Sequence, residues 1–259
     1  RYGYKNRRTA KKGGATKKRA PARRSNKSIR TIAKQVIHQM SENKHMTPLV
    51  GLGLRVDQAL TSASQSVNLT PILVQGIGQG DRIGNSVRTM KSKLILQLQA
   101  NQITVSGPNP GPNYFDVYLY KYKPANEQTA IDQTKFLQFG NTAVPYDGGN
   151  APYSGLLNVN NDMFIKRYHR RVRLWNPAPS SSTDVAPDFA WSSMAQNGTT
   201  LVIDTTKFLN KTLKYNDNTS LPSNDNLFLS VVSTAVDGRN LGGSVGAFTF
   251  VHQVSFEDA

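Results

Sequence analysis

Tyr114-Phe-Asp-Val-Tyr-Leu-Tyr-Lys-Tyr122 is the stretch from which the fold is read. It has no Gly or Pro, and Phe115, Val117, Leu119 and Lys121 alternate with Asp116, Tyr118, Tyr120 and Tyr122. A period of two in aromatic and β-branched residues belongs to a strand, because successive side chains of extended backbone point to opposite faces. Similar runs flank it at 50–59, 65–75, 86–99, 162–175, 199–205, 207–215, 226–235 and 245–256, separated by Gly, Pro and Asn. Eight or nine strands of that length, with no internal repeat, predict an all-β sandwich or barrel. Within this body a helix is predicted only at Thr129–Phe139, where Ile131, Lys135, Phe136 and Phe139 share a face. Two connections, 140–161 and 176–198, exceed what a minimal sandwich needs and read as surface projections or contacts between copies.

The charge is segregated. The 259 residues hold 32 Lys and Arg against 16 Asp and Glu, and fifteen of those bases against the single acid Glu42 fall at or before residue 44. That leading part carries +14 of the net +16, and residues 45–259 carry +2. The bases Arg1, Lys5, Arg7, Arg8, Lys11, Lys12, Lys17, Lys18, Arg19, Arg23, Arg24 and Lys27 are spaced by Gly, Ala, Thr and Pro. Such a segment has too little apolar surface to offset its chain entropy, so residues 1–27 are expected to form a disordered nucleic-acid-binding arm.

From Ser28 the pattern becomes helical: Ile29, Ile32, Ala33, Val36, Ile37 and Met40 make one stripe, and Arg30, Lys34 and His38 line another. Residues 28–47 therefore read as a short amphipathic helix and a linker, with Asn26 or Ser28 as cap. Two roles stand for the helix, docking on the body's own core or anchoring the arm while Arg30 and Lys34 touch nucleic acid. Residues 48–259 read as the remaining domain.

Several chemistries are excluded or disfavoured. With no Cys there are no disulfides, thiolate metal sites or cysteine nucleophile. His38, His45, His169 and His252 lack transition-metal-ligand spacing, so no cofactor is expected, and a calcium ion held between subunits by Asp carboxylates stands as an alternative with no loop motif behind it. No Ser sits in a nucleophile elbow and no acid pair stands out, which argues against an enzyme. No apolar run approaches the roughly 18 to 20 residues of a membrane span, and the basic start lacks the apolar stretch of a signal peptide. Gly76-Ile-Gly-Gln-Gly-Asp-Arg-Ile-Gly84 superficially suggests a phosphate cradle, but Asp81 stands where the dinucleotide fingerprint needs its third Gly. It is read instead as a turn with glycines at positive φ, leaving Arg82 for a salt bridge or a phosphate.

The strand at 162–175 carries a basic row. With period two, Arg167, His169, Arg171 and Arg173 project from one face, and Phe164, Tyr168, Val172 and Leu174 from the other. Such a row repels itself unless anions face it. Either acids of an adjacent strand or subunit supply them, or the phosphates of a nucleic acid do.

These residues resemble a family. Val74-Gln-Gly-Ile-Gly-Gln-Gly-Asp-Arg-Ile-Gly-Asn-Ser-Val87 followed by Lys91-Ser-Lys-Leu-Ile-Leu96 is similar to the segment that opens the jelly roll in capsid proteins of small circular single-stranded DNA viruses, the circovirus-like group. The strand at 162–175, Thr206–Tyr215, Asn226–Val232 and Gly246–Val251 through Asp258 then follow that family's order, although Phe248, Phe250 and Phe256 replace its Tyr-rich ending.

The resemblance implies a single jelly-roll β-sandwich that self-assembles into an icosahedral virion of 60 copies or a multiple of 60. A single-stranded genome, DNA rather than RNA, would lie against the arm, and a host receptor and nuclear import factors would be the other partners. The clusters Lys11-Lys12 and Lys17 to Arg24 resemble a bipartite nuclear localisation signal, in keeping with assembly in the host nucleus. Jelly-roll coats of small positive-strand RNA viruses, and cellular nucleic-acid-binding β-domains with basic tails, remain the alternatives.

Overall fold

The computed structural model describes residues 31, 43–62, 65–78, 80–101, 112–124, 131–175, 197–236, 238, 240 and 244–258. The chain divides into two units, Arg1–Ser41 and Glu42–Ala259. Of the first, only Thr31 is described, and it is helical. The arm and the rest of the amphipathic segment lie outside the described residues.

The second unit is built of strands: β1 (Lys44–His45), β2 (Leu49–Asp57), β3 (Ala59–Leu60), β4 (Ser66–Asn68), β5 (Ser86–Ala100), β6 (Pro112–Tyr122), β7 (Leu137–Phe139), β8 (Thr142–Val144), β9 (Tyr146–Asp147), β10 (Asn158–Val159), β11 (Phe164–Trp175), β12 (Gly198–Asp204), β13 (Thr212–Lys214), β14 (Phe228–Ala235) and β15 (Ser244–Asp258). One antiparallel sheet runs β2-β15-β5-β12, with β1 extending β2's place along β15 and β13 extending β12's place along β5. The other runs β4-β14-β6-β11, also antiparallel. A single parallel bridge, Val232 to Asp57, joins the two.

Numbering the eight roll positions in chain order, with β12 and β13 as one, gives sheet orders 1-8-3-6 and 2-7-4-5. That is the order of a jelly roll, two interlocked Greek keys closed on one core. The segment 74–87 accordingly leads into the third strand of the roll. The resemblance had placed it at the start, which β2 occupies.

The inner faces pack Leu94, Leu96 and Leu98 of β5, Phe248 and Phe250 of β15 and Leu201 of β12 against Phe115, Val117 and Leu119 of β6 and Leu229 and Val231 of β14. Each such side chain taken fully from water contributes about 1.5 to 3 kcal/mol. β6 is buried on both faces. Its other set, Tyr118, Tyr120 and Tyr122, lies under residues 131–163, against Phe136, Leu137, Tyr146 and Val159. A third cluster, Met46, Leu73, Val87, Leu213, Tyr215, Val254 and Phe256, closes the end of the roll beside β1.

The connection is ordered in ways its sequence obscured. The helix expected at Thr129–Phe139 is replaced, over its described residues, by a 3-10 turn at Gln133–Lys135 and strand β7; the turn is started by the Asp132 side chain accepting from Thr134 N. Tertiary pairing overrides the helical spacing. Leu137 pairs with Val144 and Val159, and the chain reverses at Gly140, whose φ of 60° opens a two-residue hairpin. The supposed loop 140–161 holds β8, β9, β10 and a 3-10 turn at Pro152–Leu156, while residues 176–196 of the other long connection lie outside the described residues.

Candidate nucleic-acid interface

Among the described residues β11 is an edge strand, paired with β6 alone. Its register slips between Lys166 and Tyr168, so Arg167 occupies a bulge. A one-residue slip exchanges faces. Phe164 therefore packs with Tyr120 and Tyr122 on the outer face, whereas Tyr168, Val172 and Leu174 join the core between the sheets. This corrects the pattern in which all four shared a face. Beyond the bulge, His169, Arg171 and Arg173 do line one face, opposite Tyr118, Asp116 and Tyr114 in register.

Asp116 is the group that organises this face. Fully buried, it accepts from Arg171 Nε at 2.9 Å and Arg171 Nη2 at 2.7 Å, from Tyr146 Oη at 2.7 Å, and meets His169 Nε2 at 2.9 Å. Burial alone would raise its pKa, but the hydrogen bonds from His169, Arg171 and Tyr146 outweigh it and hold the carboxyl below its ordinary value. Arg171 is raised in turn by the same carboxylate. The Tyr118 ring stacks parallel on His169 at 4.3 Å, and Arg171 lies over Tyr114 at 4.9 Å.

Of the two accounts of the basic row, an acid on the adjacent strand faces His169 and Arg171. Arg173 is exposed, with its guanidinium 5.6 Å above the Trp175 ring, and Arg167 is exposed at the bulge. Asp116 was missed because a lone Asp in an aromatic strand looks like an ordinary solvent-facing position. Its alternation with three tyrosines was the available signal.

Arg82 does not present itself to a phosphate. It is fully buried and donates to the carbonyls of Gly84, Asn216 and Thr219 and to Asn85 Oδ1, at 2.7 to 3.2 Å, under the Tyr215 ring. It thereby ties the loop before β5 to the loop after β13. The glycines around it do not take positive φ; a side chain at Gly76 or Gly78 would instead strike the Asp81 carboxylate, which accepts from Gly78 N at 3.0 Å. An acid of the chain itself sits where a bound anion would have to be.

Other charges are committed internally. Lys121 pairs with the buried Asp225, and Lys44 bridges Asp258 at 2.8 Å while donating to Asp81 O. His252 Nε2 lies 2.8 Å from Ser92 Oγ, but both are buried in the core. No group of three His, Asp or Glu able to hold a metal occurs among the described residues.

Lys91 and Lys93, part of the segment that carries the family resemblance, are body cations that were not counted among the nucleic-acid-binding residues. They lie two apart on β5, a strand whose alternate residues Leu94, Leu96 and Leu98 are buried, so both project to solvent; that period-two placement was legible.

The sequence matches no protein-family model and no curated protein. Among solved structures, the chain is similar at 12% identity to VP1 of the Trichodysplasia spinulosa-associated polyomavirus, in a complex with sialylated precision glycooligomers. That match covers 83% of this chain and 93% of the other at a TM-score of 0.23, a likeness too slight to carry an argument. The strand order above establishes the jelly roll independently of it.

Proposed function

We propose that this chain is a capsid protein: a jelly-roll subunit that assembles into a closed shell and holds a single-stranded genome with its cationic N-terminal arm. The observation that carries the reading is the segregation of charge, +14 of +16 at or before residue 44, ahead of a nearly neutral jelly roll. A neutral wall can pack against copies of itself without mutual repulsion. A cationic arm binds a polyanion largely without sequence preference, by counterion release.

Sixty copies would bring on the order of 840 arm charges, enough to neutralise on the order of a kilobase of single strand. The resemblance at 74–96 supports a circovirus-like, single-stranded DNA assignment, and the clusters Lys11-Lys12 and Lys17 to Arg24 support nuclear import. Under this reading Arg1, Lys5, Arg7, Arg8, Lys11, Lys12, Lys17, Lys18, Arg19, Arg23, Arg24, Lys27, Arg30 and Lys34 contact the genome. Of the β11 bases assigned to the genome, Arg167 and Arg173 are exposed and open to join them, while Arg171 is held on Asp116.

Electron microscopy of the purified protein, with and without residues 1–41, tests the proposal. Full-length protein should form uniform particles containing nucleic acid, sensitive to DNase rather than RNase once the shells are opened; the shortened chain should lose the nucleic acid. A monodisperse monomer that never forms particles and carries no nucleic acid at low salt would reject it.

A further inference from the structure

We infer that the solvent face of the sheet β2-β15-β5-β12 carries a second contact for single-stranded nucleic acid, a phosphate-binding cleft built on Lys91 and Lys93. The inference rests on the capsid reading and assigns the packaged strand a seat on the folded body as well as on the arm.

The cleft has a volume of about 480 Å³. His45, Lys91, Lys93, Gln253 and Ser255 line it over Met46, and no carboxylate is among its lining residues. Lys91 stands opposite Ser255 and Lys93 opposite Gln253 in the β5–β15 register, so each ammonium has a neutral hydrogen-bonding neighbour across the ladder. Two residues of strand place the lysine stems about 7 Å apart, a spacing suited to two neighbouring phosphodiesters.

Their backbone is held from behind: Ser92, between them, points into the core and bonds Thr205 Oγ1 at 2.6 Å and His252 Nε2 at 2.8 Å. Asp204 is the acid in register with Lys93 on β12; its carboxylate accepts from Thr206 N at 3.0 Å, is held below its ordinary pKa by the Thr206 bonds and then by the Lys207 and Lys91 charges, and lies outside the lining. The rim is His45 of β1 and Pro48.

A second feature of the same face selects the occupant. One step along the strands from the lysines, Val50, Val251, Ile95 and Val202 stand in register across all four strands. Val50 is 50% and Val202 62% exposed. An apolar row beside a cationic pair matches a ligand with phosphates on one side and uncovered base and sugar faces on the other. A duplex hides its base faces, and a small phosphate would leave the row bare.

The test uses the full chain. Affinity for a fluorescent 20-nucleotide mixed-sequence single strand is measured against salt for the wild type, for K91Q/K93Q, and for K123Q/K135Q on the opposite side as control. Losing two phosphate contacts should flatten the slope of log K against log salt by about 1.4, with the control unchanged. In parallel, lysine acetylation read by mass spectrometry should show Lys91 and Lys93 protected by the single strand and not by inorganic phosphate at equal phosphate concentration.

A wild type that binds no single strand at low salt overturns the capsid reading itself. Binding with an unchanged slope and unprotected lysines overturns the cleft alone. Equal protection by inorganic phosphate replaces the strand by a small anion. Loss of particles in K91Q/K93Q with the binding slope intact assigns the face to a second copy of the chain, and likewise sinks the proposal.

Discussion

At the scale of single residues, the buried titratable groups act as locks of the fold. Burial lowers the pKa of the His252 imidazole to about 4, so the folded protein keeps it neutral, bonded through Nε2 to Ser92, while the unfolded chain protonates it near 6.5. Between those values the unfolded state binds more protons. Stability from this group is therefore complete above about pH 6.5, falls as the pH drops, and levels off below about pH 4 after a loss on the order of 3 kcal/mol. Melting temperatures of the wild type and His252→Gln across pH 7 to 4 should show the wild type losing more over that window; parallel curves would exclude the imidazole as the cause. Neither Asp116 nor Arg82 could be assigned its part from sequence, because the partners lie far along the chain: Tyr146 and Arg171 for the one, Asn216 and Thr219 for the other.

Among the elements, the strands were the legible part and the long connection was not. Strand-like runs between turn residues located β2, β5, β6, β11, β12, β14 and β15 to within about two residues, although β6 and β14 are buried on both faces. The bulge at Arg167 was hidden, because it is set by the pairing partner rather than by the strand's own residues. Residues 131–163 of the connection fold because their apolar side chains find β6, and the 3-10 turn at Pro152–Leu156 seats directly over the Asp116–Arg171 pair. A side chain at Gly155 would collide with Arg171 Nη2 and Asp116 Oδ2. Gly155→Ala should accordingly destabilise the fold by about 2 kcal/mol or more, as overpacking and a disturbed buried pair both act. In a denaturation double-mutant cycle with Arg171→Met, much of that penalty should vanish. Strict additivity would show that the turn does not press on the ion pair.

Across the whole molecule, a charged leader and a nearly neutral roll make salt the variable that separates holding a genome from building a wall. If all 14 Lys and Arg of residues 1–34 meet phosphates, single-strand affinity should fall with salt at a log–log slope approaching about −10. Replacing the Lys and Arg of residues 1–34 by Gln should reduce that slope to a small remainder while leaving particle formation intact; a slope that survives the replacement would move the main nucleic-acid contact onto the body. The strand class, the absence of cysteine chemistry and the segregation of charge were determined by the sequence alone, because composition and period two are local properties that need no partner to be read. The sheet order, the pairing of Arg171 and His169 with Asp116, the burial of Arg82 and the meeting of Lys91 and Lys93 with Gln253 and Ser255 were decided only by the tertiary structure. Each depends on which distant strand lies alongside, and in a jelly roll the neighbours in space are seldom the neighbours in sequence.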